Sequence, residues 1–331
     1  MTDRRVIITG GSGFVGTNLV ECFSQQGWEI RNFDIAQPCN PDHQCYWSNV
    51  DILDRKRLVE ETRDFQPSVF LHFAARTDLN ERANLGEYAA NIEGVFHVVE
   101  AIRKTQSIQR AVFASSQLVC ELGYRPLDEN DYRPSTLYGH SKVLTERIIR
   151  TAGDMDTVWT ILRPTSLWGP WFDVPYKNFF TAIARNLYVH PRDVRTLKQW
   201  GFIGNSVYQV QRIIEAPVKK VHQKTFYLAD YEPVELRDFA NKVQAALGVK
   251  PIRTVPVKLL KTAAFLGDIG KKLGWSNPPL TTFRYNNMIM EESQDLDPMQ
   301  EVTGRLPYSI EQGIDRTVRW LFKHDKTIQV K

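Results

Sequence analysis

The chain has 331 residues, 42 of them basic and 38 acidic, for a net charge of +4. That small excess, spread along the chain, argues against nucleic acid as a partner. No apolar run reaches the ~18 residues of a transmembrane helix. The opening MTDRRVIITGG enters a strand at once, so no signal peptide is expected. The four cysteines, Cys22, Cys39, Cys45 and Cys120, fit free thiols in a cytoplasmic protein. Cys39, His43 and Cys45 lie close together, but no second ligand pair follows, so no metal site is expected.

In chain order, strands and helices alternate. Val6–Thr9 reads as a strand, and Phe14–Gln26 as a helix with Val15, Leu19, Val20 and Phe23 at helical spacing. Trp28–Asp34 is a second strand, Asp54–Asp64 a charged helix and Val69–Phe73 a third strand. Tyr88–Lys104 is a long helix, Arg110–Ser115 a buried strand, Ser141–Ala152 a helix and Val158–Leu162 a strand running into Arg163–Pro164. This alternation implies an α/β fold, a doubly wound parallel sheet of Rossmann type covered on both faces. Beyond about residue 170 the pattern loosens. Residues 1–170 are expected to form the dinucleotide-binding domain. Residues 171–331 are expected to be mainly a substrate-binding region, with some segments returning to the first domain; Phe226–Ala229 is one candidate, ahead of a helix Leu236–Leu247.

Two constellations carry chemistry. TGGSGFVG places Gly10, Gly13 and Gly16 at G-x-x-G-x-x-G spacing between the first strand and the first helix, with Phe14 and Val15 opening that helix. Gly10 permits the tight turn, a side chain at Gly13 would block a pyrophosphate, and Gly16 lets the helix pack closely on the sheet. The helix N-terminus then offers N–H groups to phosphates. Asp34, ~20 residues further on, is placed for the adenosine ribose hydroxyls. DIAQPCN brings no basic residue for a 2′-phosphate, which favours NAD over NADP. The second constellation is YGHSK: Tyr138 and Lys142 share one helix face. A tyrosine has an ordinary pKa near ~10, and a neighbouring ammonium favours its phenolate. The pair suits proton transfer beside a hydride acceptor. Ser115 and Ser116 close a buried strand, where a polarising hydroxyl would sit.

With DILD at 51–54, LRPTSLWGP at 162–170 and GRLPYSIEQGIDRTVRWL at 304–321, these motifs fall in order along nearly the whole chain. Taken together they resemble the extended short-chain dehydrogenase/reductase superfamily, in its NAD-dependent nucleotide-sugar epimerase and dehydratase group. The resemblance implies that Asp51 and Ile52 contact adenine, and that Phe73, Ala74 and Ala75 line the pyrophosphate. It implies that Asn91 supports cofactor and site from the long helix, and that Pro164 and Thr165 lie near the carboxamide. Ser116 would bond the reacting oxygen, Tyr138 would be the base, and Lys142 would hold the nicotinamide ribose.

The departures narrow the chemistry. Sugar dehydratases in this group carry acids beside the catalytic hydroxyl, where this chain has Ser116-Gln117-Leu118. The glutamate of the decarboxylases is Leu118, and the cysteine of the 3,5-epimerase/4-reductases is absent. What remains is hydride and proton transfer alone. Ser166 replaces the asparagine of RPFNVYGP, and WGFIGNSV at 200–207 lacks the family's phosphate-binding arginine. Arg284 in TTFRYNNM stands near the position of another diphosphate-binding arginine, which makes Ser166 and Arg284 substrate-binding candidates. The basic segment VKLLKTAAFLGDIGKKLGW at 257–275 reads as an amphipathic helix that lays its apolar face on the domain core, the more frequent case, caps the substrate or touches a membrane surface. The expected function is an NAD-dependent nucleotide-sugar epimerase acting at C4, with a homodimer as one assembly. The alternatives are a keto-sugar reductase, a 3β-hydroxysteroid dehydrogenase-like enzyme on an apolar alcohol, and a non-catalytic NAD sensor.

Overall fold

A computed structural model describes residues 4–79, 81, 83–153, 155–173, 176–275, 278, 280–325 and 328. They divide into two compact units: 1–167 with 201–231 and 295–308, and 168–200 with 232–294 and 309–331.

The first unit is built on a parallel sheet. Its strands are β1 (Arg5–Thr9), β2 (Glu29–Phe33), β3 (Trp47–Ser48), β4 (Val69–His72), β5 (Arg110–Ala114), β6 (Val158–Pro164) and a seventh, Lys224–Leu228. They lie side by side in the order β3, β2, β1, β4, β5, β6 and Lys224–Leu228. All pair in parallel. The central strands have apolar, buried middles, Val6–Ile8, Val69–Leu71 and Ala111–Ala114, because helices cover both faces. On one face α2 (Arg55–Phe65), α3 (Ala89–Arg103) and α4 (Leu137–Thr151) bury Leu58, Val95, Val98, Val99, Ile102, Ile148 and Ile149 against Ile7, Phe33, Phe70, Phe113 and Ile161. On the other, α1 (Phe14–Gln25) packs with the helix Ile203–Glu215. Asp54 and Thr136 cap α2 and α4 with side-chain oxygens. No side chain caps α1, whose N-cap is Gly13.

The order reverses between β1 and β4. In open sheets of this kind, ligands bind outside the carboxyl ends of the strands at such a switch point. Register places those ends together: Thr9 pairs with Phe33 and His72, His72 with Phe113, Ala114 with Leu162, and Pro164 with Leu228. Gly10, Asp34, Phe73, Ser115 and Thr165 therefore all follow the same edge.

In the second unit, Phe179, Phe180, Phe239, Trp168 and Trp200 form an aromatic cluster with ring centroids 5.0–6.1 Å apart. A reciprocal Ser309–Gln312 capping box opens the helix Ile310–His324. Cys39, Cys45 and His43 hold no metal-binding cluster among the described residues. Cys39 Sγ donates to the Ser12 carbonyl, and His43 bonds with Asn40. No helix among the described residues is long and apolar enough to cross a membrane.

Candidate active site

The glycine turn divides into glycines that the chain itself requires and one that it does not. Gly10 has φ +74°, and a Cβ there would strike the backbone of Phe73 and Ala74. A Cβ on Gly16 would run into the Gly10 carbonyl and Gly11, so a glycine here lets the start of α1 close onto the backbone that follows β1. Gly13 is different. It is exposed, and a Cβ there would meet only the Gly10 oxygen, at 3.4 Å, an ordinary contact. The space before Gly13 and the uncapped start of α1 is open, which is the shape a phosphate group requires.

Asp34 faces this turn. Its Oδ2 accepts the Ser12 N–H at 3.0 Å and its Oδ1 the Ala36 N–H at 2.9 Å, leaving further lone pairs on both oxygens. Ser12 is held from behind by Asn32, whose Nδ2 donates to Ser12 Oγ at 3.1 Å. Asp51 is exposed and caps the next turn through the Leu53 N–H at 2.9 Å. Ile52 is buried in the core, where its Cδ1 lies against Gly94. His97 Nδ1 donates to its carbonyl at 2.9 Å. Phe73 and Ala74 hang from β1: the Phe73 N–H donates to the Thr9 carbonyl at 3.0 Å and the Ala74 N–H to Thr9 Oγ1 at 3.3 Å. Ala75 is half-buried beside them.

Both polar atoms of the Asn91 side chain are engaged. Its Oδ1 accepts the Arg76 N–H at 2.8 Å, and its Nδ2 donates to the Arg76 carbonyl at 2.9 Å and to Ser141 Oγ at 2.8 Å. It fastens the loop after β4 to α4. Helix α4 begins at Leu137, ahead of the predicted Ser141, so Tyr138 lies in its first turn. Tyr138 is 8% exposed and Lys142 2%. The Lys142 ammonium donates to the Ala114 carbonyl at 2.8 Å, which draws the helix onto the end of β5. Burial pushes its pKa down to about 8, partly opposed by Glu146. Burial and the Lys142 charge together push His72 down to about 3, so this imidazole, bonded to Thr9 Oγ1 at 2.7 Å, is neutral. Ser116 is buried, and its Oγ accepts the Leu118 N–H at 3.1 Å. Its own hydroxyl proton remains to be donated.

Beneath the dyad lies a network that spacing did not single out. Glu146, one helical turn beyond Lys142, is fully buried. Its carboxylate receives Nε and Nη2 of Arg163 at 2.8 Å each, Ser115 Oγ at 2.6 Å and the Tyr132 hydroxyl at 2.9 Å. Arg163 is 1% exposed and also donates to the Glu129 carbonyl at 2.6 Å. Burial opposes its charge, but the bonds to Glu146 outweigh that and raise its pKa. The pair ties α4 to β5 and β6 directly behind Ser116. One signal was present in the sequence: Tyr138, Lys142 and Glu146 recur at helical spacing on one face.

Thr165 bonds to the seventh strand, its N–H donating to the Leu228 carbonyl at 3.2 Å, and Pro164 ends β6. Ser166 is buried. Arg284 belongs to the second unit, on the helix Thr282–Ile289, where its Nη1 donates to the Pro278 carbonyl at 2.8 Å.

A model of the NAD dependent epimerase/dehydratase family matches residues 6–229. The chain belongs to that family. It is 25% identical to the N-acetyl-alpha-D-glucosaminyl-diphospho-ditrans,octacis-undecaprenol 4-epimerase of Escherichia coli O157:H7, across 97% of this chain and 96% of that one. It is 26% identical to a 3-beta-hydroxysteroid dehydrogenase of Mycolicibacterium neoaurum, across 74% and 71%. Among solved structures, a Thermus thermophilus UDP-glucose 4-epimerase in complex with NAD superposes with a TM-score of 0.71 at 19% identity, covering 97% of this chain and 99% of that one. The fold is thus that of the family's epimerases, and the chain is an NAD-dependent enzyme.

Proposed function

We propose that this family member is an epimerase that inverts C4 of a nucleotide sugar by transient oxidation, with Tyr138 as the base. The observation that carries this reading is the buried Tyr138–Lys142 pair at the end of β5, in a chain aligned nearly end to end with a 4-epimerase.

NAD would be held by the Gly10–Gly16 turn, by Asp34 and Asp51, by the Ile52 backbone, by Phe73–Ala75, by Pro164 and Thr165, and by Lys142. Asn91 supports them through the loop after β4. Bound there, NAD supplies the acceptor and donor of hydride. The protein's own groups move the proton. Tyr138 as phenolate takes the sugar hydroxyl proton and returns it when the carbonyl is reduced again. The Lys142 ammonium favours that phenolate by Coulomb attraction. Ser116 donates its hydroxyl proton to the reacting oxygen. Leu118 offers no carboxylate beside it, so nothing assists loss of water from the keto sugar. Ser166 is the proposed substrate contact in the first unit.

The glycine turn gives a paired test of the cofactor site. Gly13→Ala should leave the apo protein's melting temperature unchanged but weaken NAD by more than about tenfold, ~1.4 kcal/mol. Gly16→Ala should itself cost stability, about 1–3 kcal/mol, through overpacking. Thermal melts with and without NAD distinguish them. Equal NAD affinity in Gly13→Ala would remove this turn from the site. Asp34 leads to a second expectation. Its carboxylate should bond the ribose hydroxyls and repel a 2′-phosphate, so calorimetry should find NAD(H) well ahead of NADP(H). Equal affinities would turn Asp34 away from the ribose.

A second reading, oxidation of an apolar alcohol, is favoured by the similarity to the hydroxysteroid dehydrogenase. Incubation with a panel of nucleotide sugars separates the two. The epimerase reading expects interconversion of a C4 pair with no net change in NADH absorbance. Net NADH formation from a 3β-hydroxysteroid, with every sugar untouched, would establish the second reading.

A further inference from the structure

The helix Val257–Lys272 is apolar on two opposite faces, and only one of them is used inside the fold. Leu260 and Ala264 are buried in a cluster with Tyr285, with Val189, Val255 and Leu280 packed against it. Gly267 lies on the same face, where a Cβ would strike the Leu280 carbonyl. On the far side, Leu259 is 61% exposed, Leu266 59% and Leu273 82%. Ile269 joins them, and Phe265 and Trp275 stand out beside them. At about 3.6 residues per turn, Leu259, Leu266, Ile269 and Leu273 form one continuous stripe opposite the buried face.

The charge on this helix is one-sided. Lys258, Lys261, Lys271 and Lys272 are all exposed, and Lys258, Lys261 and Lys272 flank the stripe along one side. Asp268 is the single acid of residues 257–275. Its carboxylate is engaged elsewhere, accepting the Thr282 N–H at 3.2 Å at the start of the next helix. A stripe of large exposed side chains beside a row of cations is unfavourable in water and matched to the boundary between lipid headgroups and acyl chains.

We propose that this outer face docks on an anionic bilayer surface, the stripe entering the headgroup boundary while the lysines meet lipid phosphates. Charge selects this occupant. A second copy of the chain laid on the same face would bring two sets of lysines together, whereas an anionic bilayer complements them. The surface stands independently of the substrate proposed above.

The test is flotation of the full chain, loaded with NAD, with phosphatidylcholine vesicles containing or lacking phosphatidylglycerol. Binding should be at least about tenfold stronger to the anionic vesicles and should fall with salt. Leu259→Ser, Leu266→Ser and Leu273→Ser combined should cut it by a similar factor without changing the melting temperature, since all three side chains are exposed. Lys261→Gln with Lys272→Gln should also reduce it at least about tenfold. Absence of binding to the anionic vesicles, or binding indifferent to the leucine changes, would overturn the proposal. So would self-association of the wild type, seen by sedimentation equilibrium and lost in the leucine variant, because a second copy would then cover the face.

Discussion

Tyr138→Phe should lower turnover by at least ~10²-fold while NAD binds as before. The substitution removes one oxygen and keeps the ring, which sits 6.2 Å from that of Tyr88 and is almost buried. Packing in the first turn of α4 is therefore kept and only the proton carrier is lost. The same argument sets an upper pH limit. The Lys142 ammonium, pushed down to about 8 by burial, loses its charge as pH rises through that value. The phenolate then loses its cationic partner, and the activity of the wild type should decline with it. Turnover and calorimetry on the one variant, with a pH profile of the wild type, check both halves. Turnover near that of the wild type would remove Tyr138 from the mechanism; loss of NAD binding would make it a structural residue.

The Glu146–Arg163 pair should be the most costly single point of the first unit to break. Glu146→Ala leaves a guanidinium that is 1% exposed without its carboxylate, and leaves Ser115 and Tyr132 without their acceptor. Breaking one partner of such a pair costs about 3–5 kcal/mol, because the other charge stays buried and uncompensated. Replacing both partners by apolar residues of similar volume, Glu146→Leu with Arg163→Met, should cost much less than the two single changes added together. Urea unfolding followed by circular dichroism measures all three. Strict additivity would mean that the two side chains stabilise the fold independently. Glu146→Gln carries a milder version, with a functional consequence. Glu146 is the group that holds Lys142 up against burial, so the lysine should titrate lower and the alkaline decline of activity should begin earlier.

The parts of this molecule legible in the sequence are those whose chemistry is local. The glycine turn is written in consecutive residues, Asp34 follows one strand later, and Tyr138 and Lys142 lie one helical turn apart. Each needs only a correct strand or helix to be placed, and the elements around them form near where periodicity puts them, α4 starting one turn earlier, at Leu137. Gly16 shows how close that placement is: spacing assigns it to close packing of helix on sheet, and the backbone that a side chain there would strike is Gly10 and Gly11, directly after β1. Glu146 and Arg163 were not legible as a pair because their meeting depends on β6 lying beside β5 beneath α4, a tertiary fact. Ile52 shows a related limit: the resemblance assigns it to adenine without saying which of its atoms is meant, and packing buries the side chain against Gly94. The second half was harder for a related reason. Residues 201–231 and 295–308 return to the first unit, so neighbours in sequence belong to different cores.

The central claim, transient oxidation with return of the same hydride, is tested most directly by isotope retention. A nucleotide sugar deuterated at C4, incubated with the enzyme and NAD, should give the epimer with its deuterium kept and no net change at the NADH absorbance. Loss of the label, or NADH accumulating in proportion to a keto product without any epimer, would contradict the account.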